Sequence, residues 1–130
     1  MDAEVIDPTV LRVGGEYPTQ VMLESSTCAS TTVLSMPTSV RHTPGEATLT
    51  LLHAGSSYPG TIETDGDFTT TPVPQNVGAD THTLTMTGRV TLTGFTATVT
   101  VEVTRRGAPL CSYVVGWVGT RASGMNVIPG

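Results

Sequence analysis

Few side chains in this sequence stand at spacings that do chemistry, and each has a plainer structural reading beside it. Asp80 lies two residues before His82. On a strand, residues i and i+2 share a face, so this carboxylate can polarise that imidazole for proton transfer. A surface Asp-x-His with no role is the commoner case. Asp65 and Asp67 flank Gly66, and Glu63 or Asp80 can add a further carboxylate for Ca²⁺. A calcium loop needs more oxygen ligands at regular spacing, so turn chemistry is the better explanation. No Gly-x-Ser-x-Gly elbow lifts a serine out of a sheet, and no glycine loop is built to cradle phosphate. The sequence therefore predicts a non-enzymatic protein with no catalytic residues, no cofactor and no metal.

Two cysteines remain. Cys28 and Cys111 fit neither a C-x-x-C nor a Cys/His ligand spacing, which argues against zinc. Bridged, they would close a loop of about 80 residues, worth roughly 4 kcal/mol in the chain-entropy model. A bridge would also point to an oxidising compartment. Unbridged, they are two small buried hydrophobes. Both readings stay open at the level of sequence.

The elements that must position these groups are strands. The chain has 130 residues, the size of one domain with a real core. It holds 25 Thr, 14 Gly and 9 Pro, and only 13% of its residues are charged, against about 25% in ordinary soluble domains. Thr and Val branch at Cβ, which suits a pleated surface and costs rotamer freedom in a helix. No segment keeps an apolar helical rhythm for three turns. Six Arg, no Lys and a net charge of −5 leave no broad basic face, so nucleic acid is not an expected partner. No apolar run approaches the ~18 residues of a membrane span.

The clearest segment covers residues 82–105. Leu84, Met86, Gly88, Val90 and Leu92 alternate with Thr or Arg; after Thr93-Gly94 the apolar set moves to Phe95, Ala97, Val99, Val101 and Val103. A two-residue turn at Thr93-Gly94 is expected to pair Leu92 with Phe95 and Met86 with Val101. A second hairpin spans residues 60–71, where a three-residue loop of Thr64, Asp65 and Gly66 sets Ile62 opposite Phe68. Pro44-Gly45 fits a type II turn between strands at 31–40 and 47–53. Further strands are expected near 9–13, 19–24 and 110–119. On the last of these, Cys111, Tyr113, Val115 and Trp117 share one face. Trp117 and Tyr113 both follow Cys111, which is not the immunoglobulin arrangement.

The expected fold is all-β, an antiparallel β-sandwich or small barrel of about eight short strands. Residues 1–8 and 121–130 form irregular arms around a β core at 9–120. Each arm carries one apolar pair, Val5-Ile6 and Val127-Ile128, suited to docking on a neighbour. Two binding roles follow. In the first, the protein is a virion component of a phage, a head decoration or tail protein that contacts other protein subunits through its β faces and arms. The opening Met1-Asp2-Ala3-Glu4, without a basic, apolar export signal, favours it. So does the absence of Lys, the usual guard of exposed strand edges. In the second, it is a secreted or cell-surface bacterial module with a Cys28–Cys111 disulfide. The stretches at 60–68, 87–95 and 111–113 resemble the Thr-rich meanders of exported bacterial proteins. That resemblance implies a disulfide and a ligand groove, for a carbohydrate or a host-surface ligand.

Overall fold

The computed structural model describes residues 7–29 and 31–130, and over them the chain is all-β. The strands are β1 (Gly15–Tyr17), β2 (Thr19–Ser26), β3 (Thr38–Arg41), β4 (Thr48–His53), β5 (Ser56–Ile62), β6 (Asp67–Thr70), β7 (Val73–Val77), β8 (Asp80–Val90), β9 (Gly94–Arg105) and β10 (Ala108–Thr120). They form one antiparallel sheet in the order β1-β3-β4-β5-β6-β8-β9-β10-β2, with β7 also beside β8. The sheet curls into a nearly closed barrel. There are ten elements where about eight were expected. Part of the difference lies at Pro18 and Pro72, which separate β1 from β2 and β6 from β7. Proline has no N–H for the ladder, so a strand bends there and continues against a different stretch of partner.

Local turn chemistry sets most of the connections. Ala54-Gly55 and Arg106-Gly107 are two-residue loops with positive φ at both positions, the backbone of a type I′ hairpin turn. Gly45 has φ 85° and the Glu46 N–H donates to the Thr43 carbonyl at 3.0 Å, matching the type II turn read at Pro44-Gly45. Ile62 faces Phe68 across the Thr64-Asp65-Gly66 loop, as the bulged register requires.

The longest hairpin departs from expectation. Val90 pairs with Phe95, Met86 with Val99 and Leu84 with Val101, two residues away from the predicted register. Gly94 is not free to turn. It lies in the ladder opposite Thr120, so close to the Gly119 carbonyl that a Cβ would stand 2.1 Å from its oxygen. The loop is therefore 91–93, closed by the Thr91 N–H donating to the Gly94 carbonyl at 2.8 Å. A shift of two preserves strand parity, so inward residues still meet inward residues. Leu92 alone loses its place and is 48% exposed. The strands expected near 9–13 and 31–37 do not form either. Arg12 makes a single bridge to Val127, and 31–37 runs irregularly from β2 to β3.

The barrel interior takes Leu49 and Leu51 from β4, Tyr58 and Ile62 from β5, Phe68 from β6, Met86 and Val90 from β8, and the alternating Phe95 to Val103 series from β9. Phe95 meets Tyr17 and Phe68 edge-on, with ring centroids 5.4 and 6.4 Å away. Each such side chain contributes about 1.5–3 kcal/mol on full burial. The outer wall is largely threonine. Thr48, Thr61, Thr69, Thr87 and Thr98 form one rank across five neighbouring strands, each opposite the next and all exposed.

The two arms differ. Val5 and Ile6 lie outside the described residues. The segment 121–130 does not project: it folds across the end of its own barrel. Val127 and Arg12 exchange backbone hydrogen bonds of 2.9 and 3.0 Å, Asn126 N–H donates to Leu92 O at 2.8 Å, and Gly130 N–H donates to Thr64 O at 2.9 Å. Ile128 packs against the core. The docking surface that the sequence assigned to a neighbour is supplied by the same chain, because this end of the barrel would otherwise be open to water.

Glycines 116 and 119 on β10 provide a check of this packing. A Cβ at Gly119 would lie 2.2 Å from the buried Phe95 ring, whereas one at Gly116 meets only the flexible end of Glu24. Gly119→Ala should lose about 1–3 kcal/mol by overpacking, and Gly116→Ala should stay within about 0.5 kcal/mol of the parent. Urea denaturation of both variants measures the contrast; equal losses would contradict this placement of Phe95.

Candidate functional site

The two ends of the barrel are finished differently. At one, Tyr17 is wholly buried, with its hydroxyl 2.6 Å from the Val13 carbonyl and 2.9 Å from Asn126 Oδ1. Arg121 Nη1 donates to the Gly14 carbonyl and to Asn126 Oδ1, both at 2.7 Å. Burial raises the Tyr17 hydroxyl above its ordinary pKa, with Arg121 pulling the other way. This end is plugged.

Towards the other end the wall opens. The backbone of 15–18 is hydrogen-bonded on both sides: β1 pairs with β3, while Thr120 and Ala122 N–H groups donate to Pro18 and Glu16 carbonyls at 2.9 Å. Past Pro18, β2 follows β10 and leaves β3. Side chains bridge the start of the gap. Thr19 Oγ1 is 2.8 Å from Thr38 Oγ1, which is 3.0 Å from His53 Nδ1, and Ser35 Oγ accepts from Val21 N–H at 3.0 Å. Beyond them is a cleft of about 140 Å³ lined by Val21, Val33, Leu34, His53, Leu84, Val99, Val101, Tyr113, Val115 and Trp117. His53 stacks on Trp117 with centroids 4.0 Å apart, and Tyr58 meets the indole edge-on. Gln75 Nε2 donates to Tyr58 Oη at 2.8 Å and to Ser56 Oγ at 2.7 Å, holding the phenol in place.

Residues 27–29 and 31–37 form a strap beside this cleft, and its anchor is covalent. Cys28 and Cys111 are bonded, with S–S 2.09 Å and Cα–Cα 5.1 Å. Thr27 adds a second tie through its N–H to the Ser112 carbonyl at 2.9 Å. The disulfide borders a second cavity of about 220 Å³, shared by Thr31, Thr32, Asp80, His82 and Tyr113. Tyr113 lines both spaces.

The residues singled out from sequence fall in three places. Asp80 and His82 do share a face beside the second cavity, but the carboxylate is held by Arg105, with Nε to Oδ1 at 2.7 Å and Nη2 to Oδ2 at 3.3 Å. The Arg105 hydrogen bond keeps the Asp80 carboxyl below its ordinary pKa. His82 turns instead toward Tyr113, its Nδ1 3.5 Å from the hydroxyl. Glu63, Asp65 and Asp67 gather within 4.8 Å of one another. Arg89 lies against them, 2.6 Å from Asp67 and 3.8 Å from Asp65, and lowers the Asp67 carboxyl. Asp80 cannot join that cluster. It begins β8, whereas Arg89 lies nine residues further along at roughly 3.4 Å per residue. Val127 and Ile128 belong to the plugged end.

Sequence reasoning missed His53, Thr38 and Thr19. One signal was present: Leu49, Leu51 and His53 alternate on one face of β4, which puts an imidazole where a core residue belongs. Its partners are 15 and 34 positions away, and no local pattern links them. Comparison with protein-family models, curated proteins and solved structures returned no match.

Burial pushes the His53 imidazole below its ordinary 6.5, because the charged ring would lose hydration. The unfolded chain then takes up a proton that the folded chain refuses, so stability is full above 6.5 and falls as the pH drops below it. Asp67 and Asp80 titrate in a separate window, since their lowered carboxyls cost stability only on acidification below about the ordinary 3.8. The urea midpoint should drop between about pH 7 and about pH 5, and His53→Phe should flatten that step. A slope unchanged in the variant would assign the proton elsewhere. Replacing both cysteines with Ala should cost about 4 kcal/mol for this long loop. A loss below about 1 kcal/mol in the same assay would mean that hydrogen bonds alone hold the strap.

Proposed function

We propose that this protein is a non-catalytic binding module of an oxidising, extracytoplasmic compartment, and that it holds a small apolar ligand in the cleft between β2 and β3. The observation that carries the reading is the Cys28–Cys111 bridge anchoring a strap beside an apolar opening in the barrel wall. Disulfides persist where thiols are not kept reduced, on secreted proteins and on cell or virion surfaces. Ligand sites are typically apolar concavities with a few placed polar groups, and this cleft has valine and leucine walls with His53 among them. A carbohydrate ligand has less support. Sugars need an open aromatic face; Tyr58 and Trp117 are both buried, which leaves the half-buried Tyr113.

A second reading, a structural subunit of a virion or other assembly, draws on a different surface. Met22 on β2 and Val118 on β10 are 53% and 41% exposed on the outer face, around a groove over Gly116 bordered by Thr96 and Thr98. Such a face suits packing against another protein subunit.

Trp117 is the chain's one tryptophan, so it reports the cleft directly. Saturation with toluene should move the Trp117 indole N–H resonance and raise the melting temperature, with the protein monomeric by sedimentation. No response to toluene or to the more polar phenol would remove the cleft reading. Concentration-dependent self-association that Val118→Arg abolishes would favour the assembly reading.

A further inference from the structure

We propose that the cleft selects a small ring compound bearing a hydrogen-bond donor, a phenol in chemical class, and that His53 Nε2 accepts from it. This deepens the binding reading above and rests on it. The argument is the direction of a buried hydrogen-bond chain. The Thr19 hydroxyl lies 2.7 Å from the Tyr17 carbonyl, which only accepts, so the one Thr19 hydrogen is committed there. Thr19 Oγ1 must then accept from Thr38 at 2.8 Å. That uses the one Thr38 hydrogen, so Thr38 Oγ1 in turn accepts from His53 Nδ1 at 3.0 Å. Nδ1 therefore carries the imidazole proton, and Nε2 of the neutral ring presents a bare lone pair.

The chain is dry enough to hold that direction: Thr38, Thr19 and His53 are 0%, 6% and 7% exposed. Nε2 has no hydrogen-bond partner among the described residues. Yet the one described side-chain polar atom both sealed and unpartnered is His42 Nδ1, so Nε2 is not fully sealed, and His53 is among the residues that line the cleft. An unpartnered acceptor on a residue that lines an apolar space asks for a donor, since an ether or ketone would set lone pair against lone pair and leave both unpaired. Size agrees. The cleft is about 140 Å³, and an apolar cavity of about 150 Å³ is enough for benzene. Burial favours the neutral ring, the form that keeps the lone pair available.

The test compares phenol, anisole and toluene, which share the ring and differ in the donor. Binding to the wild-type chain near neutral pH is followed by the Trp117 indole resonance, and the lone pair by the ¹⁵Nε2 resonance of labelled His53. Phenol should bind about tenfold more tightly than either of the others, and it alone should shift Nε2. In His53→Phe the tenfold preference should vanish while toluene still binds. Should that variant not fold, Thr38→Val frees Nδ1 and should reduce the preference with the imidazole still in place. Equal wild-type affinities for phenol and toluene would overturn the donor selectivity and leave an apolar cleft. No response to any of the three would overturn both the selectivity and the cleft.

Discussion

A curled sheet closes only where some stretch of backbone can hydrogen-bond along both of its edges, and in this chain that stretch is 15–18. It joins β3 on one side and the end of β10 on the other, and Pro18 then ends the arrangement. Proline contributes a carbonyl but no N–H, and the chain beyond it follows β10 alone. The rest of the site follows from that divergence. The gap between β2 and β3 leaves a cleft against the inner faces of β9 and β10, the strap of residues 27–29 and 31–37 runs beside it, and the disulfide keeps the strap from drifting.

Closing a gap with side chains rather than with a ladder imposes a polar cost inside the barrel. Thr19, Thr38 and His53 meet it by satisfying one another in series and ending on the Tyr17 carbonyl. A buried hydroxyl without a partner costs about 1–3 kcal/mol, so each member of the chain depends on the next. The same economy fixes the tautomer of His53. A conformational necessity of the barrel thereby becomes a chemical property of the cleft.

The threonine content has a complementary explanation. A small barrel has one packed interior and a water-facing exterior, so each strand alternates between them. Val and Leu fill the inside, and Thr supplies the outside with β-branching for the pleat and a hydroxyl for water. The rank from Thr48 to Thr98 is the visible result. It also explains the low charge: hydroxyls do on this surface what Lys and Glu do on most.

What the sequence determined by itself is local in origin. Period-two alternation named the inward faces of β8, β9 and β10, including the shared face of Cys111, Tyr113, Val115 and Trp117. Turn residues placed the Pro44-Gly45 turn and the bulged loop at Gly66, because φ preference belongs to the residue itself. Only the tertiary structure decided the register of the long hairpin, since Gly94 is held by its contact with Gly119 on another strand. It alone seated the 121–130 arm on its own barrel and gathered Thr19, Thr38 and His53. Those three lie on different strands, 34 residues apart from first to last. Alternation tells each strand which side faces in, but only closure of the barrel tells it which strand it will face.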